Sequence, residues 1–226
     1  MDARGRAVNI RQFSVKPGNA MVSVPIVFIA ATSSESGKTA LAGQLIRQLS
    51  GRGIRVGALK VTGTGGVLDS LSHRRSGAFA VLDNVNAGLI TTHGEPAEVH
   101  QKTPLIFREM ERQGADLIIA ELGGDLLSAN NPEIFRIGEL MDRAVMLVVI
   151  SNDALAAVGV NTFNECRLGF PVDRIRHFTS PFRNHAGIER RMTSAGISSC
   201  YDPRSSSDLA RIADQIADKV PTSNHT

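Results

Sequence analysis

Gly37-Lys38-Thr39, preceded by Thr32-Ser33-Ser34-Glu35-Ser36 and followed by Ala40, brings together the residue types a polyphosphate needs. Such a group is wrapped by backbone N–H donors, so the wrapping residues must be small, and Gly37 lets the main chain approach without a Cβ in the way. Lys38 is then placed to reach β and γ phosphates, and the Thr39 hydroxyl is offered to Mg²⁺. The first turn of a following helix adds partial positive charge. The string departs from the usual GxxxxGK(S/T), since Thr32 stands where the first glycine is expected. Glu35 is either a base inside the loop or a solvent-facing side chain.

Three further groups have types and positions suited to the same chemistry. Glu121 ends an apolar run, and phosphoryl chemistry requires a carboxylate opposite the loop threonine; it is the first candidate for holding Mg²⁺, directly or through water. Asp83 is expected to share the metal, with Asp69 or Asp125 as weaker alternatives. Lys60 ends another apolar run ahead of Thr62-Gly63-Thr64-Gly65-Gly66, a position from which it would hold an acceptor or stabilise charge on a transferred phosphoryl group. Gly123-Gly124 beside Glu121 would let backbone approach a ligand. Asn86, Thr91, Thr92 and His93 lie in a polar connection over 84–94, long enough to suggest substrate binding as well as a turn.

The elements that must position these groups alternate along the chain. An apolar run over 24–31 reads as a buried strand, and Leu41, Leu45, Ile46 and Leu49 recur at helical spacing after the loop. Strands are expected over 54–60, 79–83, 116–121 and 144–151, within 171–178 and over 197–201. Helices are expected over 67–77, from Thr103-Pro104 as N-cap and first position to about residue 113, from Asn131-Pro132, and over 153–168 with Leu155, Val158, Phe163 and Cys166 inward. Two more are expected over 183–194 and around Leu209, Ile212, Ile216 and Val220. Strands rich in Val, Ile and Leu on both faces, alternating with helices, imply an α/β fold: a doubly wound, mostly parallel sheet covered on both sides. Ligands in such sheets bind beyond the carboxyl ends of the strands, where the phosphate loop, Lys60, Asp83 and Glu121 all fall.

Composition narrows the class. At 226 residues with 42% hydrophobic and 21% charged, the chain has the make-up of a soluble globular protein. Arg4, Arg6, Arg11 and Lys16 against Asp2 account for the whole net charge of +3, leaving the remainder neutral, so no nucleic-acid partner is expected and a small-molecule substrate is. The apolar runs are too short to cross a bilayer, so no membrane association is expected. Cys166 and Cys200 fit no metal or redox spacing, and a cytoplasmic setting follows. Residues 1–23 read as a basic tail or small hairpin, 24–220 as the nucleotide-binding domain and 221–226 as a C-terminal tail.

The segment Ala31-Thr-Ser-Ser-Glu-Ser-Gly-Lys-Thr39 resembles the lengthened loop GTxxEVGKT of the dethiobiotin synthetase branch of P-loop proteins, with Lys60, Glu121-Leu-Gly-Gly124 and Val160-Asn161-Thr162 similar to that family's further motifs. Lys60-Val-Thr-Gly-Thr-Gly65 through Leu82-Asp-Asn-Val-Asn-Ala-Gly88 is similar to a family of unknown function that includes a D-glutamate N-acetyltransferase. A lysine after the second strand is also a feature of the GTP-binding accessory proteins of molybdenum cofactor synthesis. The resemblance spans roughly residues 24–165. It implies a P-loop NTPase fold, ATP with Mg²⁺, and a homodimer. The expected function is therefore an ATP-dependent enzyme of kinase or ligase type that activates a small carboxylate, amine or carbamate, with Lys38, Lys60 and Glu121 catalytic. The alternatives are an N-acyltransferase using acetyl-CoA and a non-catalytic nucleotide-binding adaptor.

Overall fold

In the computed structural model, residues 4–6, 9–16, 18, 20–182, 187–197 and 200–221 are described. Among the described residues seven strands form one parallel sheet: β1 (Ile26–Ala31), β2 (Val56–Lys60), β3 (Ala80–Asp83), β4 (Leu117–Glu121), β5 (Ala144–Ser151), β6 (Ile175–Thr179) and β7 (Cys200–Tyr201). Their order is β3-β2-β4-β1-β5-β6-β7, with every pairing parallel. The strand that feeds the phosphate loop thus lies at the centre.

Successive side chains of a strand point to opposite faces, and β1 shows why both faces must be covered. Val27, Ile29 and Ala31 join a core with Leu41, Leu45, Ile46 and Leu49 of α1 (Lys38–Ser50) and with Leu209, Ile212 and Ile216 of α8 (Ser206–Ala217). Ile26, Phe28 and Ala30 join the opposite core with Ile106, Phe107 and Met110 of α3 (Pro96–Arg112). There the Phe28 ring lies 6.2 Å from Phe107 and 5.7 Å from Phe135, spacings at which aromatic pairs attract. Completing the helices are α2 (Val67–Arg75), the single turns α4 (Asn131–Ile134) and α5 (Gly138–Met141), α6 (Ala154–Phe163) and α7 (Ile188–Ser194).

Several expectations are corrected. α3 begins at Pro96, with Glu95 as N-cap, and Pro104 lies inside it. Pro96 takes the first helical position, whereas Val99, Thr103, Ile106, Phe107 and Met110 form one continuous buried stripe that carries the helix through Pro104. α6 ends at Phe163 and gives way to a π turn over Asn164–Leu168, where the Asn164 side chain holds both the N–H and the carbonyl of Phe170. Of the expected inward residues, Val158 and Phe163 pack against the core beside the buried Ala157 and Val160, whereas Leu155 and Cys166 face solvent; Asp153 caps the helix through Ala156 N.

The described part of residues 1–23 makes a 3-10 turn, Ile10–Phe13, and no hairpin. It is tied to the body by Val15 N to Asn86 O, by the Arg11–Glu98 ion pair and by Ser23 N to Glu111. The expectations over 183–194 and 197–201 are met by α7 and β7 only in part; 183–186 and 198–199 lie outside the described residues, as do 222–226 of the expected tail. Among the described residues no helix is long and apolar enough to cross a membrane.

Candidate nucleotide site

Gly37 adopts φ 100° as the chain turns from loop to helix, and a Cβ there would fall 2.9 Å from the Pro181 ring. Both facts require glycine. The loop is fixed from three sides: Thr32 N donates to Ile150 O at 3.0 Å, Asn152 Nδ2 to Ser33 Oγ at 2.7 Å, and Ser180 Oγ to Ser36 O at 3.3 Å. Leu41 N makes the first helical bond, to Gly37 O, so the preceding N–H groups open toward the loop and have no acceptor within the helix. Residues 33–40 line a cleft of about 820 Å³ together with Lys60, Asp69, Glu121, Gly124, Asn152, Ser180 and Phe182.

Lys38 Nζ donates to Ser33 O at 3.2 Å and Gly124 O at 2.5 Å, so the ammonium bridges the phosphate loop and the loop after β4. Burial is the largest influence on it and lowers its pKa, opposed by Glu121 and reinforced by the Lys60 charge. A phosphate chain would supply the anionic partner that two carbonyls replace only in part.

Glu121, at the end of β4, is fully buried and is the hub of the site. Its Oε1 accepts from Thr39 Oγ1 at 2.9 Å and from Lys60 Nζ at 2.5 Å, while Oε2 lies 3.0 Å from His73 Nε2. Burial by itself would raise its pKa; the His73 hydrogen bond and the Lys60 charge outweigh that effect and bring it to about 2, so the group is ionised. Lys60 is turned inward between Glu121 and Asp69, 2.9 Å from Asp69 Oδ2. Burial lowers its pKa, but the two carboxylates outweigh that effect and leave it raised. Lys60 nevertheless lines the cleft, and two of its three N–H donors are engaged by these carboxylates.

Asp83, expected at the metal, does something else. It caps the 3-10 turn Asn84–Ala87, accepting from Val85 N, while its own N–H donates to Asn86 Oδ1. β2 and β4 separate its strand from β1. The second carboxylate at Thr39 is Asp69, at the start of α2, whose Oδ1 lies 3.1 Å from Thr39 Oγ1 and shares its one hydroxyl hydrogen with Glu121. Thr39, Asp69 and Glu121 form a set of hard oxygen donors. Among the described residues no three His, Cys, Asp or Glu side chains gather to hold a metal alone. That pattern fits Mg²⁺, which takes one or two carboxylates and completes its shell with phosphate and water.

The glycine and threonine loops after β2 and β4 are used to build the floor. Thr62 Oγ1 accepts from Gly123 N at 2.8 Å, and Asn131 Nδ2 donates to the Gly123 and Asp125 carbonyls. A Cβ on Gly123 would fall 2.3 Å from Thr62 O, so of the expected Gly123-Gly124 pair the first packs on the neighbouring loop and the second lines the cleft. Thr92 is buried, accepts from Gly63 N and donates to Ala129 O, which gives the polar 84–94 connection a structural role. Glu35, exposed, sits at φ 55°. Burial pushes the Cys200 thiol up to about 11, which removes it as a nucleophile at neutral pH.

His73, Asn152 and Phe182 were not singled out from sequence. A trace of His73 was present: it lies four residues after Asp69, so both project from one side of a helix opened by the glycine loop.

A family model described as MobB, molybdopterin guanine dinucleotide synthesis protein B, matches residues 26–156. No curated protein matches the chain in sequence. Among solved structures, the chain is similar to the signal recognition particle receptor FtsY from Elizabethkingia anophelis in complex with GDP, with TM-score 0.57, 14% identity, and 91% of this chain and 67% of that one covered. It is also similar to a ParA family ATPase from Chlorobium tepidum TLS, with TM-score 0.53 and 11% identity over 89% and 95% of the two chains. At these identities the likenesses bear on the fold, which is that of P-loop nucleotide-binding proteins.

Proposed function

Because the chain belongs to the molybdopterin guanine dinucleotide synthesis protein B family, we propose that it is a Mg²⁺-nucleotide-binding adaptor serving the assembly of a molybdopterin dinucleotide, with no small-molecule acceptor of its own. The observation that supports this reading over a kinase or ligase is the position of Lys60, whose ammonium is engaged by Glu121 and Asp69. Lys38 and the N–H groups of the loop hold the β and γ phosphates; Thr39, Asp69 and Glu121 hold Mg²⁺, which would neutralise phosphate charge when bound. An acyl-CoA would leave that oxygen set without a task. Guanine is the favoured base because the family is one of guanine dinucleotide synthesis. A homodimer is part of the proposal on the strength of resemblance, and sedimentation velocity decides it, a monomer at micromolar concentration rejecting it.

The experiment is titration calorimetry with GTP, ATP and acetyl-CoA, each with and without Mg²⁺, paired with phosphate release. The expected result is Mg²⁺-dependent GTP binding, abolished in Lys38→Ala, with slow release that small carboxylates and amines do not accelerate. Acceptor-stimulated release would restore the kinase or ligase reading, and metal-independent binding of acetyl-CoA in preference to either nucleotide would favour the acyltransferase.

A further inference from the structure

α2 has little apolar reason to lie where it does. Val67, Leu68 and Leu71 face solvent, and the one residue of the helix that is buried is His73, at 0% exposure. Two polar side chains one turn apart face the body in their place. Asp69 reaches Thr39 and Lys60, and His73 Nε2 reaches Glu121 Oε2. An ionised carboxylate only accepts, so Nε2 carries the hydrogen, and Nδ1 is left buried without a partner. A histidine serving only to fill space would not leave a ring nitrogen unmet in the interior.

The division of labour on Glu121 shows what the bond accomplishes. Oε1 is shared by Thr39 and Lys60, and Oε2 is held by His73. The attraction of an ammonium for a carboxylate has little directional preference and would be satisfied by either oxygen. A hydrogen bond from a ring locked in a helix fixes the carboxylate plane. We infer that His73 is a positioning residue for the Mg²⁺-nucleotide site: by donating to Glu121 Oε2 it keeps Oε1 directed at Thr39. The inference rests on the reading of the site given above. It also makes α2 part of the site, through Asp69 directly and through His73 by way of Glu121.

The test compares wild type with His73→Met, which fills the space without a donor, and His73→Gln, whose side-chain amide donates from a similar reach. GTP and ATP affinities are measured in EDTA and in Mg²⁺. In His73→Met the gain in affinity that Mg²⁺ confers falls by roughly ten-fold or more, affinity in EDTA stays at the wild-type value, and His73→Gln recovers most of the gain. A purely structural role would weaken binding equally in both conditions and would show no recovery with Gln; either result overturns the inference, as does a wild-type Mg²⁺ gain in His73→Met. His73→Asn, too short to reach Glu121, is expected to behave as the Met variant and carries the comparison if that variant does not fold. If the wild-type protein itself gains nothing from Mg²⁺, the Mg²⁺-nucleotide reading fails and the inference with it.

Discussion

His177, which does not line the cleft, offers a test of the fold's energetics that needs no ligand. It lies on β6, is 4% exposed, and its Nε2 is 3.0 Å from Asn161 Oδ1 on α6, while Nδ1 has no partner. Burial lowers its pKa from the ordinary 6.5 to about 4. The unfolded chain therefore binds a proton near pH 6.5 that the folded chain refuses until about pH 4. Between those values the unfolded state holds more protons, so stability is full above 6.5 and is lost as pH falls through the window. At about 1.4 kcal/mol per pH unit the loss approaches roughly 3 kcal/mol by pH 4. Urea unfolding of wild type and His177→Gln at pH steps from neutrality to 4 isolates the effect, because carboxylates elsewhere titrate alike in both and cancel in the difference. Glu121, with its pKa near 2, enters below the window. The difference between the two stabilities should be constant above pH 6.5 and shrink by roughly 3 kcal/mol toward pH 4. A difference independent of pH throughout would refute the claim that burial keeps this imidazole neutral.

Lys60→Met should destabilise the ligand-free protein by about 3 kcal/mol in urea unfolding, since it leaves the buried Glu121 carboxylate without its cation; a change under 1 kcal/mol would mean that the His73 bond alone sustains the charge. Gly123→Ala should cost roughly 1–3 kcal/mol, read in thermal unfolding, because the added Cβ meets Thr62 and Gly63 backbone atoms rather than a yielding side chain. Asp83→Ala should cost about 1 kcal/mol as a lost cap and leave the Mg²⁺ gain in nucleotide affinity intact, whereas Asp69→Asn should diminish that gain; the reverse pattern would return the metal to Asp83.

The phosphate loop was legible because its signals are local: a buried strand, small residues, Gly-Lys-Thr and a helix with apolar spacing follow one another without interruption. Lys60 and Glu121 were legible as strand-end charges, since a parallel sheet brings all such ends to one side. Asp83 meets the same criterion and still falls outside the site, because the criterion is blind to strand order and β3 is the outermost strand on its side. Asp69 reaches Thr39 from the start of a helix, a route that strand-end reasoning does not weigh. The direction of Lys60 was equally hidden, as it depends on two carboxylates supplied by different segments. Thr103-Pro104 misled because a proline fits the first turn of a helix so well that the longer apolar stripe running through it was discounted.

The central place of β1 has a consequence for how the protein is made. Its edges are paired by β4 and β5, both of which follow it by several elements, and its loop is held by Ile150 of β5 itself and by Asn152 and Ser180, which come later still. During synthesis the strand emerges with two open edges, and only α1 is near enough in sequence to shelter one of its faces. Until β5 is available there is no formed loop for a nucleotide to select. A chain cut ahead of β5 would therefore be an aggregating fragment with an apolar strand exposed, rather than a weak nucleotide binder, and a nucleotide present in the cell can assist only the last stage of folding.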